Sequence, residues 1–246
     1  MTNLKPDIHI IKMGNLNYIV GSDNRLKRFK PWLGDSFSFL YDLIMSSSIF
    51  PKKFGGDIQK HYDTLAQELA VFHGKQILEL GTGSGSAVSF LSSDNQYTGT
   101  DVSPGLLKQA VKRFIKAGFQ NSQFYVVSAD DLPFNNDTFD VCLCILSLNF
   151  IGNVKKVFQE VSRVLISNGL FVCSVPVPER NKLQRTIRGV LHTELELENI
   201  CQACGFKFER IPCDNGALLY FKAIKQVGSN ETDDQQVPIR PLHAHA

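Results

Sequence analysis

From residue 57 onward, apolar and polar positions fall into a repeating order. Ile58, Tyr62, Leu65, Leu69 and Phe72 recur every three or four residues, which marks one face of a helix, and His73–Gly74 close it. Gln76–Leu80 then reads as a strand, and a glycine-rich loop feeds a short helix carrying Ala87, Val88, Phe90 and Leu91. Tyr97–Asp101 reads as a second strand. Ser103 suits an N-cap, Pro104 suits the first helical position, and Leu107, Ala110, Val111 and Phe114 form the buried face of a helix that Gly118 stops. Phe124–Ser128 and Asp140–Leu146 are the third and fourth strands. Asn153 caps a helix whose face is Val154, Val157, Phe158, Val161, Val164 and Leu165, with Asn168–Gly169 as its stop. Leu170–Val175 is the fifth strand.

Apolar strands alternating with amphipathic helices imply βαβ units around a parallel sheet buried on both faces. The end of the pattern differs. Thr193 and Glu196 have the spacing of a capping box, and the helix they open runs to Gly205. Phe206–Ile211 and Ala217–Ile224 are then strands joined through Asp214–Asn215–Gly216, so the sheet finishes on an antiparallel hairpin. The fold class is α/β, Rossmann-like and doubly wound.

The remaining chain shows no such order. Residues 1–56 contain a basic cluster, Asn24–Trp32, and an apolar patch, Phe37–Met45, and are expected to form an N-terminal cap or extension to a domain at 57–226. Residues 227–246 are polar, contain two prolines and end in His-Ala-His-Ala, as expected of a disordered tail. With 246 residues, 43% of them hydrophobic, the chain can build one sizeable core but not two large domains. A net charge of +2 leaves no strong field to attract nucleic acid. The first residues lack the apolar run of a signal peptide, and no stretch approaches the ~20 apolar residues that span a bilayer. A soluble, cytoplasmic protein is expected.

The six cysteines do not suggest a disulfide framework. Cys142, Cys144 and Cys173 lie in apolar runs. Cys201 and Cys204 share a helical face with Leu197 and Ile200, and no second CxxC completes a zinc site. No metal is expected.

The candidate chemistry starts at ILELGTGSGS, Ile77–Ser86. A P-loop needs Lys-Ser/Thr after its last glycine, but Gly85 is followed by Ser86 and Ala87. A dinucleotide fingerprint needs GxGxxG, but Gly81 and Gly83 are followed by Ser86 at the third position. Glu79, at the carboxyl end of the first strand, lies where open parallel sheets bind ligands. A carboxylate there repels a pyrophosphate and attracts a cation, by about 4 kcal/mol at ~4 Å and an effective dielectric near 20, before desolvation. Asp101 ends the second strand and suits a pair of ribose hydroxyls, with Ser103 already serving as the helix cap. In Ser128–Phe134, Asp130 suits an exocyclic amine, and Leu132 and Phe134 suit the walls of a flat ring. A cationic end, a ribose and an adenine together fit S-adenosylmethionine.

The ordered segments ELGTGSG, GTDVSPGLL, SADDLPFNNDTFDVC and VFQEVSRVLISNGLFVCSVP resemble the motifs of class I S-adenosylmethionine-dependent methyltransferases, most of all the small-molecule and quinone-biosynthesis group. The likeness covers roughly residues 57–226. It implies a mostly parallel seven-stranded sheet with a reversed last strand. It also implies that Glu79 faces the methionine amino group, that Gly81 and Gly83 pass beneath the cofactor, and that Asp101 holds the ribose. Ala129 and Asp130 would contact adenine, and Leu146 and Ser147 would lie near the methyl donor. Two segments depart from the family pattern: LSLNFIGN after the fourth strand is mostly apolar, and ISNG stands where many relatives have Pro-Gly-Gly.

Methyl transfer is an in-line displacement, and alignment of reactants can supply ~7–11 kcal/mol of the acceleration. A general base is needed only where the acceptor must lose a proton. The candidates are His61, expected one step round the helix from the apolar face, Tyr62, expected mainly in the core, and His192. The acceptor is expected to be a small molecule. Arg180, Lys182, Arg185 and Arg188 suit an acidic acceptor or an acidic carrier, and the patch Phe37–Met45 suits an apolar one. The alternatives are methylation of a protein or carrier, motivated by Arg25–Lys30 and Arg180–Arg188, and a non-catalytic cofactor-binding scaffold.

Overall fold

A computed structural model describes residues 4–21, 25–27, 29 and 45–227. The proposed tail with its terminal histidines, the apolar patch before Met45 and much of the basic cluster lie outside the described residues.

The strands are β1 (His9–Met13), β2 (Leu16–Val20), β3 (Gln76–Leu80), β4 (Gln96–Asp101), β5 (Ser122–Val126), β6 (Phe139–Ile145), β7 (Leu165–Pro176), β8 (Phe206–Arg210) and β9 (Leu218–Lys225). The helices are α1 (Ile58–Leu69), α2 (Pro104–Lys116), α3 (Val154–Val164) and α4 (Glu194–Ala203). All strands join one nine-stranded sheet in the order β1-β2-β5-β4-β3-β6-β7-β9-β8. From β2 to β7 the neighbours run parallel, and β9 runs antiparallel between β7 and β8. The expectation of seven strands is corrected by two. The hairpin β1–β2 pairs along β5 through Leu16, Asn17 and Tyr18, continuing the sheet past the edge that the repeating pattern defines.

Local chemistry starts each helix where the polar residues indicate. Asp57 accepts the Lys60 N–H at 2.9 Å, Ser103 accepts the Leu106 N–H at 3.2 Å, and Asn153 accepts the Lys156 N–H at 3.1 Å. Thr193 and Glu196 form both bonds of the capping box. These caps satisfy donors that the first helical turn cannot pair internally. In α3, Val157, Phe158, Val161 and Val164 are all fully buried, each worth about 1.5–3 kcal/mol over exposure.

Three boundaries and faces differ from expectation. The helix expected to run to Asn168–Gly169 ends at Val164, because Leu165 already pairs with Phe139 of β6. The next registered pair is Val141 with Leu170, so residues 166–169 bulge out of the ladder, and Asn168 takes φ +61°. The helix expected after the glycine loop is a single 3₁₀ turn, Ser86–Ser89. On α1, the buried residues are His61, Leu65 and Leu69. The buried face is therefore turned by one residue: His61 lies inside, and Tyr62 is half-buried.

The sheet carries a core on each face. One packs α3 and α4 against it and includes Cys142, Cys144, Cys173, Leu197 and Cys201. The other packs α1 and α2 and includes Leu65, Tyr97, Phe114 and Tyr220. No helix among the described residues is long and apolar enough to cross a membrane.

Candidate functional site

The carboxyl ends of β3, β4, β5 and β6 come together at the centre of the sheet. β3 delivers Glu79 and the glycine loop. Glu79 is buried at 2% exposure and accepts the hydroxyl proton of Tyr97 from β4. The Thr82 hydroxyl lies 3.1 Å from that of Tyr97, and Thr100 donates to the Glu79 carbonyl at 2.8 Å. Burial pushes the Glu79 carboxyl up to about 8, and the neighbouring Asp101 adds to the rise; the Tyr97 and Thr82 hydroxyls oppose it. This modifies the electrostatic expectation. A carboxyl shifted this way holds its proton more readily than an ordinary carboxylate.

Gly99 explains how Tyr97 reaches Glu79. It stands opposite Glu79 in the β3–β4 register. A side chain at Gly99 would meet Thr82 Oγ1 at 2.7 Å and the Tyr97 ring at 2.9 Å, so this glycine leaves room for both groups. Neither Tyr97 nor Thr82 was singled out as a site residue from the sequence. The alternation of Tyr97 and Gly99 along one strand is the signal that points to them, and it needs the register to be read.

The loop is held from both sides. Asp101 accepts the Gly83 N–H at 2.9 Å through one oxygen and the Ser103 N–H at 2.8 Å through the other. Ser103 does cap α2, but it does not release Asp101 as expected, because the carboxylate itself bridges the loop to the helix start. On the other side, Ser147 donates to the Leu80 carbonyl at 2.9 Å, and a Cβ on Gly81 would lie 2.5 Å from that of Ser147. Gly81 and Gly83 adopt φ of +66° and +57°. Leu146 takes φ +55°, with its N–H donated to the Ser174 carbonyl at 2.9 Å. A non-glycine residue there costs about 1–3 kcal/mol of backbone strain, a feature that gathers at ligand sites.

A cavity of about 40 Å³ opens against this loop. Glu79, Gly81, Thr82 and Gly83 line one side, and Met45, Phe50, Ile58, His61, Tyr62 and Leu146 line the other. Of the expected cofactor residues, Glu79, Gly81, Gly83 and Leu146 thus share one cavity, with Ser147 behind Gly81 and Asp101 beneath Gly83. Ala129 and Asp130 follow β5, and the Ser128 hydroxyl donates to Asp130 at 2.5 Å. Leu132 and Phe134, expected to wall a ring, are fully buried instead. Phe134 packs edge-on to Tyr125 and Phe139, and α3 fixes this segment through Glu160, which accepts the Leu132 N–H, and Arg163, which donates to the Phe134 carbonyl.

The three base candidates separate. His61 and Tyr62 both line the cavity: Tyr62 is half-buried rather than in the core, and His61, more deeply buried, has Nδ1 2.9 Å from the Tyr220 hydroxyl. Burial pushes the His61 imidazole down to about 3 and the Tyr62 phenol up. His192 lies outside the cavity and faces Glu196 at 4.0 Å.

Two of the four cations expected at the site mouth, Arg180 and Arg185, are engaged by backbone oxygens. Arg180 donates to the Cys213 and Leu218 carbonyls, and Arg185 donates to the Pro51 carbonyl at 2.5 Å. They line a separate space of about 430 Å³ with Lys182, Leu183, Glu179 and Asp214. Among the described residues no group of three or more His, Cys, Asp or Glu side chains is placed to hold a metal.

Residues 78–173 match the family model described as a methyltransferase domain. That stretch is similar to a methyltransferase domain. Over 105 residues the chain is 33% identical to the ubiquinone/menaquinone biosynthesis C-methyltransferase UbiE of Rickettsia massiliae, covering 39% of this chain and 42% of that protein. The chain thus matches about two fifths of the length of such curated relatives. The crystal structure of YcgJ from Bacillus subtilis superimposes with a TM-score of 0.59 at 18% identity, covering 68% of this chain and 100% of YcgJ. The [4+2]-cyclase SpnF superimposes with a TM-score of 0.63 at 19% identity, covering 80% of this chain and 96% of SpnF. At these identities the superpositions establish the fold alone.

Proposed function

We propose that this chain binds S-adenosylmethionine and transfers its methyl group to a small-molecule acceptor. The observation that carries the reading is the buried Glu79 carboxyl lining a cavity beside a glycine loop that Asp101 clamps from below. In this reading Glu79 takes the ammonium of the methionine end, giving up its proton to form a charge-assisted bond. Gly81 and Gly83 carry the backbone beneath the cofactor, Asp101 accepts from the ribose hydroxyls, and Ala129 and Asp130 meet the adenine. Leu146 and Ser147 stand beside the methyl donor. The sulfonium is a good leaving group, so the protein's contribution is alignment and exclusion of water.

Residues 57–226 form the catalytic body in this reading, and the preceding segment contributes the cover made by Met45 and Phe50. A cytoplasmic setting agrees with the thiols at Cys142, Cys144, Cys173 and Cys201, all free and buried. The aromatic and apolar lining opposite the glycine loop favours an apolar acceptor over an acidic carrier or protein, whose attraction would rely on arginines that here bind backbone carbonyls.

Isothermal titration with S-adenosylmethionine and S-adenosylhomocysteine tests the reading. Binding of either, weakened at least tenfold in Asp101→Ala, is the expected result. Absence of binding by both overturns it.

A further inference from the structure

His61, Tyr220 and Asn215 form a buried hydrogen-bonded chain that ends at the cavity, and the orientation of the Asn215 amide sets its proton order. The backbone N–H of Asp57 donates to Asn215 Oδ1 at 2.7 Å, which fixes the orientation of that amide. Asn215 Nδ2 therefore donates, to the Asp57 carbonyl at 2.9 Å and to the Tyr220 hydroxyl oxygen at 3.0 Å. The Tyr220 oxygen accepts from Asn215, and His61 Nδ1, at 2.9 Å, is its one other polar partner among the described residues, so the buried hydroxyl proton is satisfied by donation to Nδ1. With Nδ1 accepting, the neutral imidazole carries its hydrogen on Nε2.

That Nε2–H has no hydrogen-bond partner among the described residues. Nor is it one of the fully enclosed unsatisfied side-chain atoms, which are Asn149 Oδ1 and Ser174 Oγ. The open space His61 meets is the cavity it lines together with Glu79 and the glycine loop. Around it stand Phe50, with ring centroids 5.1 Å apart, and Tyr62, at 5.5 Å.

We infer that His61 is a specificity-determining hydrogen-bond donor for the methyl acceptor, selecting an apolar, ring-like molecule that presents one oxygen acceptor atom to Nε2–H, and that Tyr220 positions it by fixing its tautomer. The inference rests on the methyl-transfer reading above and goes beyond it by assigning the acceptor's chemistry. Phe50, Ile58 and the ring of Tyr62 supply apolar surface, and His61 supplies a donor whose direction Tyr220 fixes. A site built to satisfy an oxygen rejects an otherwise equal molecule that lacks it, because the donor is then left unpaired. His61 is not the general base. Burial keeps it neutral, and its basic nitrogen is already engaged by Tyr220. The cavity of about 40 Å³ is too small for a ring-bearing molecule, so an acceptor enters by displacing covering side chains such as Met45.

The test uses the full chain saturated with S-adenosylhomocysteine. Failure of that compound to bind would overturn the methyl-transfer reading itself. The probes are 1-tetralone and tetralin, which share a shape and differ by one carbonyl oxygen. With S-adenosylhomocysteine bound, tetralone is expected to bind about fivefold or more tighter than tetralin, the effect of one buried neutral hydrogen bond. His61→Phe should bring that ratio to about one. Long-range ¹H–¹⁵N spectra should show His61 protonated at Nε2, with the Nε2 resonance shifted by tetralone only. Should His61→Phe not fold, Tyr220→Phe keeps the histidine and should both mix its tautomers and lower the tetralone preference. Equal binding of the two probes, no binding of either at millimolar concentration, a proton on Nδ1, or a Tyr220→Phe variant unchanged in tautomer and preference overturns the inference.

Discussion

Tyr97 donates its hydroxyl proton to the Glu79 carboxyl inside the sheet, and Gly99 leaves the room that allows it. The pair joins two adjacent strands, so any change to the phenol acts directly on the acid. Tyr97→Phe should cost about 1–3 kcal/mol of stability, the effect of leaving a buried polar group short of a partner. It should also weaken S-adenosylhomocysteine binding about tenfold. Urea denaturation and titration calorimetry read the two effects. An unchanged affinity would show that Tyr97 does not position Glu79 for a ligand.

Two buried groups shape the pH dependence of stability in opposite directions. The Glu79 carboxyl is raised from 4.5 to about 8 in the folded protein, so it contributes stability in full below pH 4.5 that is lost as pH rises through 8. The His61 imidazole is lowered from 6.5 to about 3, so it contributes stability present above pH 6.5 that is lost as pH falls through 3. Between about pH 4.5 and 6.5 the two slopes cancel, leaving a plateau with a fall on each side. Glu79→Gln should remove the alkaline fall in thermal melts across this range. The same protonation predicts release of close to one proton per bound cationic ligand at pH 7, measured by calorimetry in buffers of different ionisation enthalpy.

Gly81→Ala tests the contact between the glycine loop and the turn after β6. Its φ is +66°, and the added Cβ would lie 2.5 Å from the Cβ of Ser147. Strain and overpacking together should cost about 2–4 kcal/mol. The replacement should also displace Ser147 from the Leu80 carbonyl. Chemical denaturation measures the loss, and a variant within ~0.5 kcal/mol of the parent would contradict the packing described.

Arg185 ties the cover to the body of the domain through its bond to the Pro51 carbonyl. Pro51 lies in the π-helical segment Met45–Phe54, whose Phe50 and Phe54 carbonyls also accept the Gly56 and Ala217 N–H groups. Arg185→Ala should speed hydrogen exchange at Gly56 and Ala217 several-fold and leave α3 unaffected. It should also raise the association rate of S-adenosylhomocysteine if opening of this cover limits entry. Exchange mass spectrometry and stopped-flow binding make the comparison.

Local order was legible in the sequence because it depends on neighbours a few residues away. Apolar periodicity located β3, β4, α2 and the terminal hairpin, and Ser103, Asn153 and the Thr193–Glu196 pair gave the helix starts. The glycine loop and the acids at residues 79 and 101 mark strand ends without help from distant residues. The pairings made across the sheet were not legible. The hairpin β1–β2 joins β5 from more than a hundred residues away, and nothing near it in the chain announces that partner. Which of His61 and Tyr62 turns inward was decided by Tyr220 and Phe50. The ionisation of Glu79 was decided by burial beneath Thr82 and Tyr97. A sequence records which groups are present and their local spacing. Desolvation and hydrogen-bond partnership depend on which distant segments close around a side chain, and only the assembled sheet determines that.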